Sequence, residues 1–197
     1  MMIDKSVKEL LDAISSKAPT PGGGSVAALA GAISCSLAAM VCNLTIGKKK
    51  YESVEEEMKE LLEKAMELRR RFEELIDEDS KAFDEVMKAF KEGGDKEAAF
   101  KKAAEVPMET ASLSKEAMNI AYYVAIHGNK NAISDAGSSA YMAYSAFKMA
   151  VMNVKINLPY IEDEKFKNIA EEKIARMEKE IEQTFEKVKE ALQENIK

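Results

Sequence analysis

From Ala18 to Gly47 the chain carries thirty uncharged residues in succession, although 32% of its residues are charged. Within this run Val26, Leu29, Ile33, Leu37, Met40 and Leu44 recur every three or four positions, the spacing of a helical stripe. Ala27, Gly31, Cys35 and Ala39 make a second stripe of small residues, which would let another helix approach closely. Both faces are therefore expected to be occupied. Gly22, Gly23 and Gly24 do not suit a helix interior, where each costs about 1 kcal/mol relative to Ala. They predict a turn, with Ser25 as the N-cap of a buried helix about 32 Å long.

The rest of the chain reads as helices that cover this one. Val7, Leu10, Leu11 and Ile14 predict a short amphipathic helix ended before Pro19. A long periodic segment begins near Glu52 with Val54, Met58, Leu61, Ala65, Leu68, Phe72 and Leu75, then resumes at Ala82, Val86 and Phe90. If continuous, it would be about 60 Å long. Gly93-Gly94 stops it, Asp95 can cap the next helix, and Pro107 interrupts or kinks that helix before it continues to Ile126. After a turn at His127-Gly128-Asn129, residues 131–158 carry charge only at Asp135, Lys148 and Lys155 and predict a second buried helix. A last amphipathic helix carries Phe166, Ile169, Ile174, Met177, Ile181, Phe185, Val188 and Leu192. No segment alternates as a strand would, so residues 1–197 are expected to form one all-α domain, a helical bundle in which two nearly uncharged helices are wrapped by long amphipathic ones. The apolar faces of the longest helices exceed what a shorter helix can cover, which predicts a homodimer.

Composition narrows the function classes. A net charge of −6 and a pI near 5.1 disfavour a nucleic-acid binder, which would show a basic face. The uncharged run is long enough for a bilayer, but it is rich in Ala, Gly and Ser, includes Asn43 and Thr45, and has no second counterpart, so the reading is a soluble core helix and no membrane. Cys35 and Cys42 are seven positions apart on one helix, about 10 Å, too far for a disulfide. Reduced cysteines and an N-terminus without an apolar signal core lead to an expected cytoplasmic location. One His and two Cys supply no soft-ligand set for zinc, so no metal is expected.

The clearest candidate for chemistry is Asp79. It falls on the core stripe between Leu75 and Ala82, where a carboxylate would be buried and its pKa raised, as acid/base work needs. The alternative is that Asp79 or Ser80 caps a new helix after a break at Asp77-Glu78. Asp135 opens the second buried helix, where an acid ordinarily complements the helix dipole. With Asn129 just before it, that end resembles a site mouth, and Asn153 and Asn157 further along the same helix need partners of their own. The Gly22–Ser25 turn could present free amides to a ligand. Lys48, Lys49 and Lys50 could meet an anionic tail, or form a solvated helix end.

Taken together these segments resemble the cyclodeaminase domain of the formiminotransferase-cyclodeaminase family, which includes stand-alone methenyltetrahydrofolate cyclohydrolases. The residues that carry the resemblance are Pro19-Thr20-Pro21-Gly22-Gly23-Gly24-Ser25-Val26-Ala27-Ala28, Asp77-Glu78-Asp79-Ser80-Lys81-Ala82-Phe83, Val106-Pro107, Gly128-Asn129, Ser134-Asp135 and Asn153-Val154-Lys155-Ile156-Asn157-Leu158, in that order. The resemblance implies a dimeric helical enzyme acting on the one-carbon unit between N5 and N10 of tetrahydrofolate, with Asp79 as the proton carrier. The expected substrate contacts are Pro21, Gly22, Gly23, Gly24, Ser25, Lys48, Lys50, Asn129, Asp135 and Asn153, with a tetrahydrofolate substrate that can be polyglutamylated and no cofactor beyond it. Cyclodeamination of 5-formiminotetrahydrofolate to 5,10-methenyltetrahydrofolate with release of ammonia is the first expectation. Hydrolysis of the methenyl compound to 10-formyltetrahydrofolate is the alternative, and from another class stands a non-catalytic helical scaffold or folate-binding protein.

Overall fold

The computed structural model describes residues 2–195. Six α-helices account for the architecture: α1 (Val7–Ile14), α2 (Gly23–Thr45), α3 (Glu55–Glu92), α4 (Lys96–His127), α5 (Ile133–Asn157) and α6 (Glu164–Asn195). No strand occurs among the described residues. The central helix α2 packs against α3, α4 and α5, α4 lies along α5, and α6 covers both α4 and α5.

Local chemistry sets the ends of these helices. Ser6 and Glu9 form a reciprocal capping box at the start of α1, and the Asp95 side chain accepts the Ala98 N–H at 3.0 Å at the start of α4. Gly93 closes α3 in the left-handed conformation, with φ of 77°, which a residue with a side chain adopts only at a cost. The Asp77-Glu78 break does not occur: α3 runs unbroken through Asp79, which is therefore not a cap. Pro107 does not interrupt α4 either, because the helix continues on both sides of it. The carbonyl four residues earlier, on Ala103, is left without its helical N–H.

Helix α2 departs from the sequence reading in two respects. It begins at Gly23 with Gly22 as N-cap, so Ser25 is the third residue of the helix rather than its cap. Its two stripes also have different fates. The small one, with Ala27, Gly31, Cys35 and Ala39, is buried, whereas Ile33, Met40 and Leu44 of the large one are 40%, 45% and 37% exposed. The neighbours come too close to admit large side chains. A Cβ on Gly31 would lie 2.4 Å from the ring of the fully buried Phe72 of α3. On the α5 side Ser34 Oγ donates to the Ser139 carbonyl and Ser139 Oγ to the Ser34 carbonyl, each at 2.8 Å. Such reciprocal bonds require two backbones in near contact, which small residues allow.

The same helix is the one described helix long and apolar enough to cross a membrane, and 67% of its most apolar window is buried within the protein. Cys35 and Cys42 are free thiols, with burial pushing them up to about 12 and about 11. At the periphery α1 buries none of its residues, and Val7 and Leu11 are largely exposed.

Candidate active site

Three successive acids on α3 meet three different environments. Asp77 Oδ1 accepts the Met2 backbone N–H at 2.9 Å. Glu78 is gripped by Arg71, whose Nη1 and Nη2 lie 2.7 and 3.0 Å from its two oxygens, and the same guanidinium reaches Glu109 of α4 through Nε at 2.6 Å. Hydrogen bonding to that cation holds the Glu78 carboxyl below the usual carboxylate range. No ion pair among the described residues includes Asp79. Burial pushes its carboxyl up from the ordinary value, and only the Ser25 hydroxyl and backbone N–H oppose the shift. Environment alone has therefore pushed two neighbouring carboxyls, Glu78 and Asp79, in opposite directions.

Asp79 lies against the first turn of α2. A Cβ on Gly24 would fall 1.9 Å from Asp79 Oδ1 and 2.5 Å from Cγ, so the carboxylate occupies space that only glycine leaves open. The helix-propensity cost of a glycine at this position, about 1 kcal/mol, is what this approach requires. Ser25 then reaches Asp79 Oδ2 at 2.9 Å. The first helical bond of α2 runs from the Val26 N–H to the Gly22 carbonyl at 3.0 Å, which leaves the Gly23 and Gly24 N–H groups without intrahelical acceptors.

Asp79 and this turn form one wall of a cavity of about 320 Å³. The other walls are Ala82, Phe83 and Val86 of α3, Phe100 and Ala103 of α4, Asn153, Ile156 and Asn157 of α5, with Pro19, Thr20 and Tyr160 at the connectors. No side-chain cation among the described residues lines it. Asn153 Nδ2 donates to the Met149 carbonyl at 2.8 Å, and Asn157 Nδ2 donates to the carbonyls of Ala103 and Asn153 at 3.0 and 2.8 Å. The Ala103 carbonyl is the one that Pro107 cannot bond, so a proline inside α4 fixes an amide on α5. Asn157 has both N–H groups on backbone carbonyls and Asn153 one of its two, so Asn157 offers the cavity its Oδ1 acceptor and Asn153 both Oδ1 and a remaining N–H, and neither oxygen is sealed from solvent. Phe100 and Tyr160 stack at 4.6 Å and make an aromatic rim, with Tyr160 well exposed. A wider groove of about 510 Å³ beside Lys155, Lys167 and Glu178 lies on the outer face of α6 and α5, and Lys148 holds Glu178 in its charged form.

The model of the formiminotransferase-cyclodeaminase family matches residues 6–179. The chain belongs to this family. It is 38% identical to a methenyltetrahydrofolate cyclohydrolase of Methylorubrum extorquens, over 89% of this chain and 88% of that protein. A crystal structure of formiminotetrahydrofolate cyclodeaminase from Thermotoga maritima superposes with a TM-score of 0.94 at 38% identity, covering 98% of both chains. The formimidoyltransferase-cyclodeaminase of Gallus gallus is 30% identical over 92% of this chain, which spans 36% of that longer protein.

In this member of the family the residues singled out from sequence fall into two groups. Asp79, Gly22, Gly23, Gly24 and Asn153 line one cavity, with Ser25 buried behind Asp79 and Pro21 buried beside the turn. Lys48, Lys50, Asn129 and Asp135 lie at the opposite end of α2, about 33 Å away along a helix of 23 residues. There Asn129 is committed to the fold: its Nδ2 donates to the Leu44 carbonyl, its backbone N–H to Thr45 Oγ1, and its Oδ1 accepts the Asn131 N–H. Asp135 occupies the first turn of α5, and Lys48 and Lys50 are exposed. Sequence reasoning did not assign Phe100, Asn157 or Tyr160 to the site. Asn157 had a signal, its position four residues after Asn153 on an uncharged helix, whereas the two aromatics had none.

Proposed function

We propose that this chain is a folate one-carbon enzyme of the cyclodeaminase/cyclohydrolase type, with Asp79 as its proton carrier, and that cyclodeamination is its reaction. The observation that carries the reading is a half-buried carboxylate on the wall of a cavity, with no ion-pair partner among the described residues. A non-catalytic scaffold has no use for such a group, which costs stability to keep. At about 320 Å³ the cavity is at the small end of ligand pockets. It suits the bicyclic pterin and the reacting carbon, leaving the benzoylglutamate on the aromatic rim of Phe100 and Tyr160. Acceptors from Asn153 and Asn157 beside the free N–H groups of Gly23 and Gly24 complement the pyrimidine edge, which has N–H donors next to a carbonyl. A lining without cations among the described residues favours the same end of the molecule over the carboxylate end.

In cyclodeamination N10 attacks the protonated formimino carbon on N5, and a tetrahedral carbon forms between the two nitrogens. Asp79 takes the N10 proton and returns it to the former imine nitrogen, which leaves as ammonia while the N5–C bond becomes the amidinium of 5,10-methenyltetrahydrofolate. The 38% identical cyclohydrolase supports a second reading at the same site. There water adds to the methenyl carbon, Asp79 takes one of its protons and delivers it to N5, the N5–C bond breaks, and the remaining hydroxyl proton is released to solvent as the carbon becomes the formyl group on N10 of 10-formyltetrahydrofolate. Incubation of the protein with each folate separates these: cyclodeamination releases ammonia as the methenyl absorbance rises, cyclohydrolysis consumes that absorbance without ammonia. Turnover of neither folate overturns the proposal.

The exposed Ile33, Met40 and Leu44 of α2 further support a homodimer, in which a second copy would cover them. In such a dimer the lysines after α2 would serve the glutamate tail of a folate held by the partner.

A further inference from the structure

The Ser25 hydroxyl has one proton and three neighbours. Its Oγ lies 2.9 Å from Asp79 Oδ2, 3.0 Å from the Ile76 carbonyl and 3.3 Å from Ser80 Oγ, and at 2% exposure water does not compete for it. A charged Oδ2 needs a donor there. A protonated Oδ2 is itself a donor and needs an acceptor. A hydroxyl satisfies both demands by rotation, provided its own proton has a second place to go, and the Ile76 carbonyl is that place.

We propose that Ser25 is a positioning residue whose hydroxyl turns with each proton transfer of Asp79. While Asp79 is charged, Ser25 donates to Oδ2. When Oδ2 carries the proton, Ser25 Oγ accepts it in a hydrogen bond and the Ser25 proton turns to the Ile76 carbonyl. Ser25 keeps its own proton throughout, and the only proton exchanged is the one Asp79 gains or loses. The carboxyl thus stays bonded and seated against Gly24 in both states, so it need not rearrange between its base and acid steps. No charged side chain among the described residues faces it: α2 presents Gly24 and Ser25, α5 presents Asn153 and Asn157, α4 presents Phe100 and Ala103, and on α3 Glu78 is turned to Arg71 and Asp77 to the Met2 N–H. This role rests on Asp79 being the proton carrier of the folate reaction, but the hydroxyl turn follows from the titration of Asp79 alone.

Two measurements test it. In Ser25→Ala the carboxylate loses a donor while its burial remains, so the acid limb of the kcat profile should move to higher pH by about one to two units, with Ser25→Thr closer to the parent. A limb that stays in place while kcat falls equally at every pH would reduce Ser25 to a packing residue and overturn the proposal. In the unsubstituted protein without folate, labelled with carbonyl-13C isoleucine and carboxyl-13C aspartate, the Ile76 carbonyl resonance should titrate with the midpoint of Asp79. An Ile76 resonance that does not move as Asp79 titrates overturns the hydroxyl turn, whatever the enzyme's substrate proves to be.

Discussion

At the scale of single residues Asp79 and Gly24 share one small volume. The side chain of Asp79 can rotate, so a methyl at position 24 would swing the carboxyl aside and leave the helices in place. Gly24→Ala should therefore cost about 10² in kcat/KM, the usual effect of a displacement on the ångström scale. Its melting temperature should hold or rise, because Ala favours the helix by about 1 kcal/mol. Circular dichroism and steady-state kinetics on one preparation read both outcomes. Asp79 also links stability to pH. Burial raises its folded-state value above that of the unfolded chain, so its stabilising contribution is fully present below the unfolded value of about 3.9 and is lost as pH rises through the folded one. Above that folded value the native protein carries a half-buried charge with no ion-pair partner among the described residues. Asp79→Asn should melt higher than the parent at pH 7 to 8, with the gain shrinking as the pH is lowered. A gain that does not depend on pH would contradict the raised carboxyl.

At the scale of elements, the helices and the position of Asp79 were legible because burial imposes a period, and a charge on that period stands out. The glycine turn was misread for a physical reason. Three glycines are poor helix residues locally, and what makes two of them helical is a carboxylate more than fifty residues away. The stripes of α2 carried a similar ambiguity: sequence shows two apolar faces but not that the closer neighbours select the smaller one. Pro107 illustrates a third limit, since its effect, a carbonyl left free for Asn157, is expressed on another helix. Gly31 offers a test at this scale. Phe72 is wholly buried and cannot yield, so Gly31→Ala should destabilise by about 1 to 3 kcal/mol, a loss of several degrees in Tm, without changing kcat per folded molecule. Loss of activity without loss of Tm would mean that α2 and α3 are not locked through this contact.

At the scale of the whole molecule, the outward stripe of α2 and the uncovered face of α1 leave apolar surface that a second copy would bury. The protein should sediment at twice its 21.8 kDa chain mass, and Ile33→Glu combined with Met40→Glu should give a folded monomer. A parent that is monomeric at micromolar concentration would refute the dimer. If this bundle holds a half-buried carboxylate in order to move a proton on a folate, the decisive assay is Asp79→Asn beside the parent on the folate the parent turns over, with folate affinity measured separately by calorimetry. In Asp79→Asn kcat should fall by about 10² to 10⁴ while the affinity stays within a few fold. Turnover close to that of the parent would contradict it.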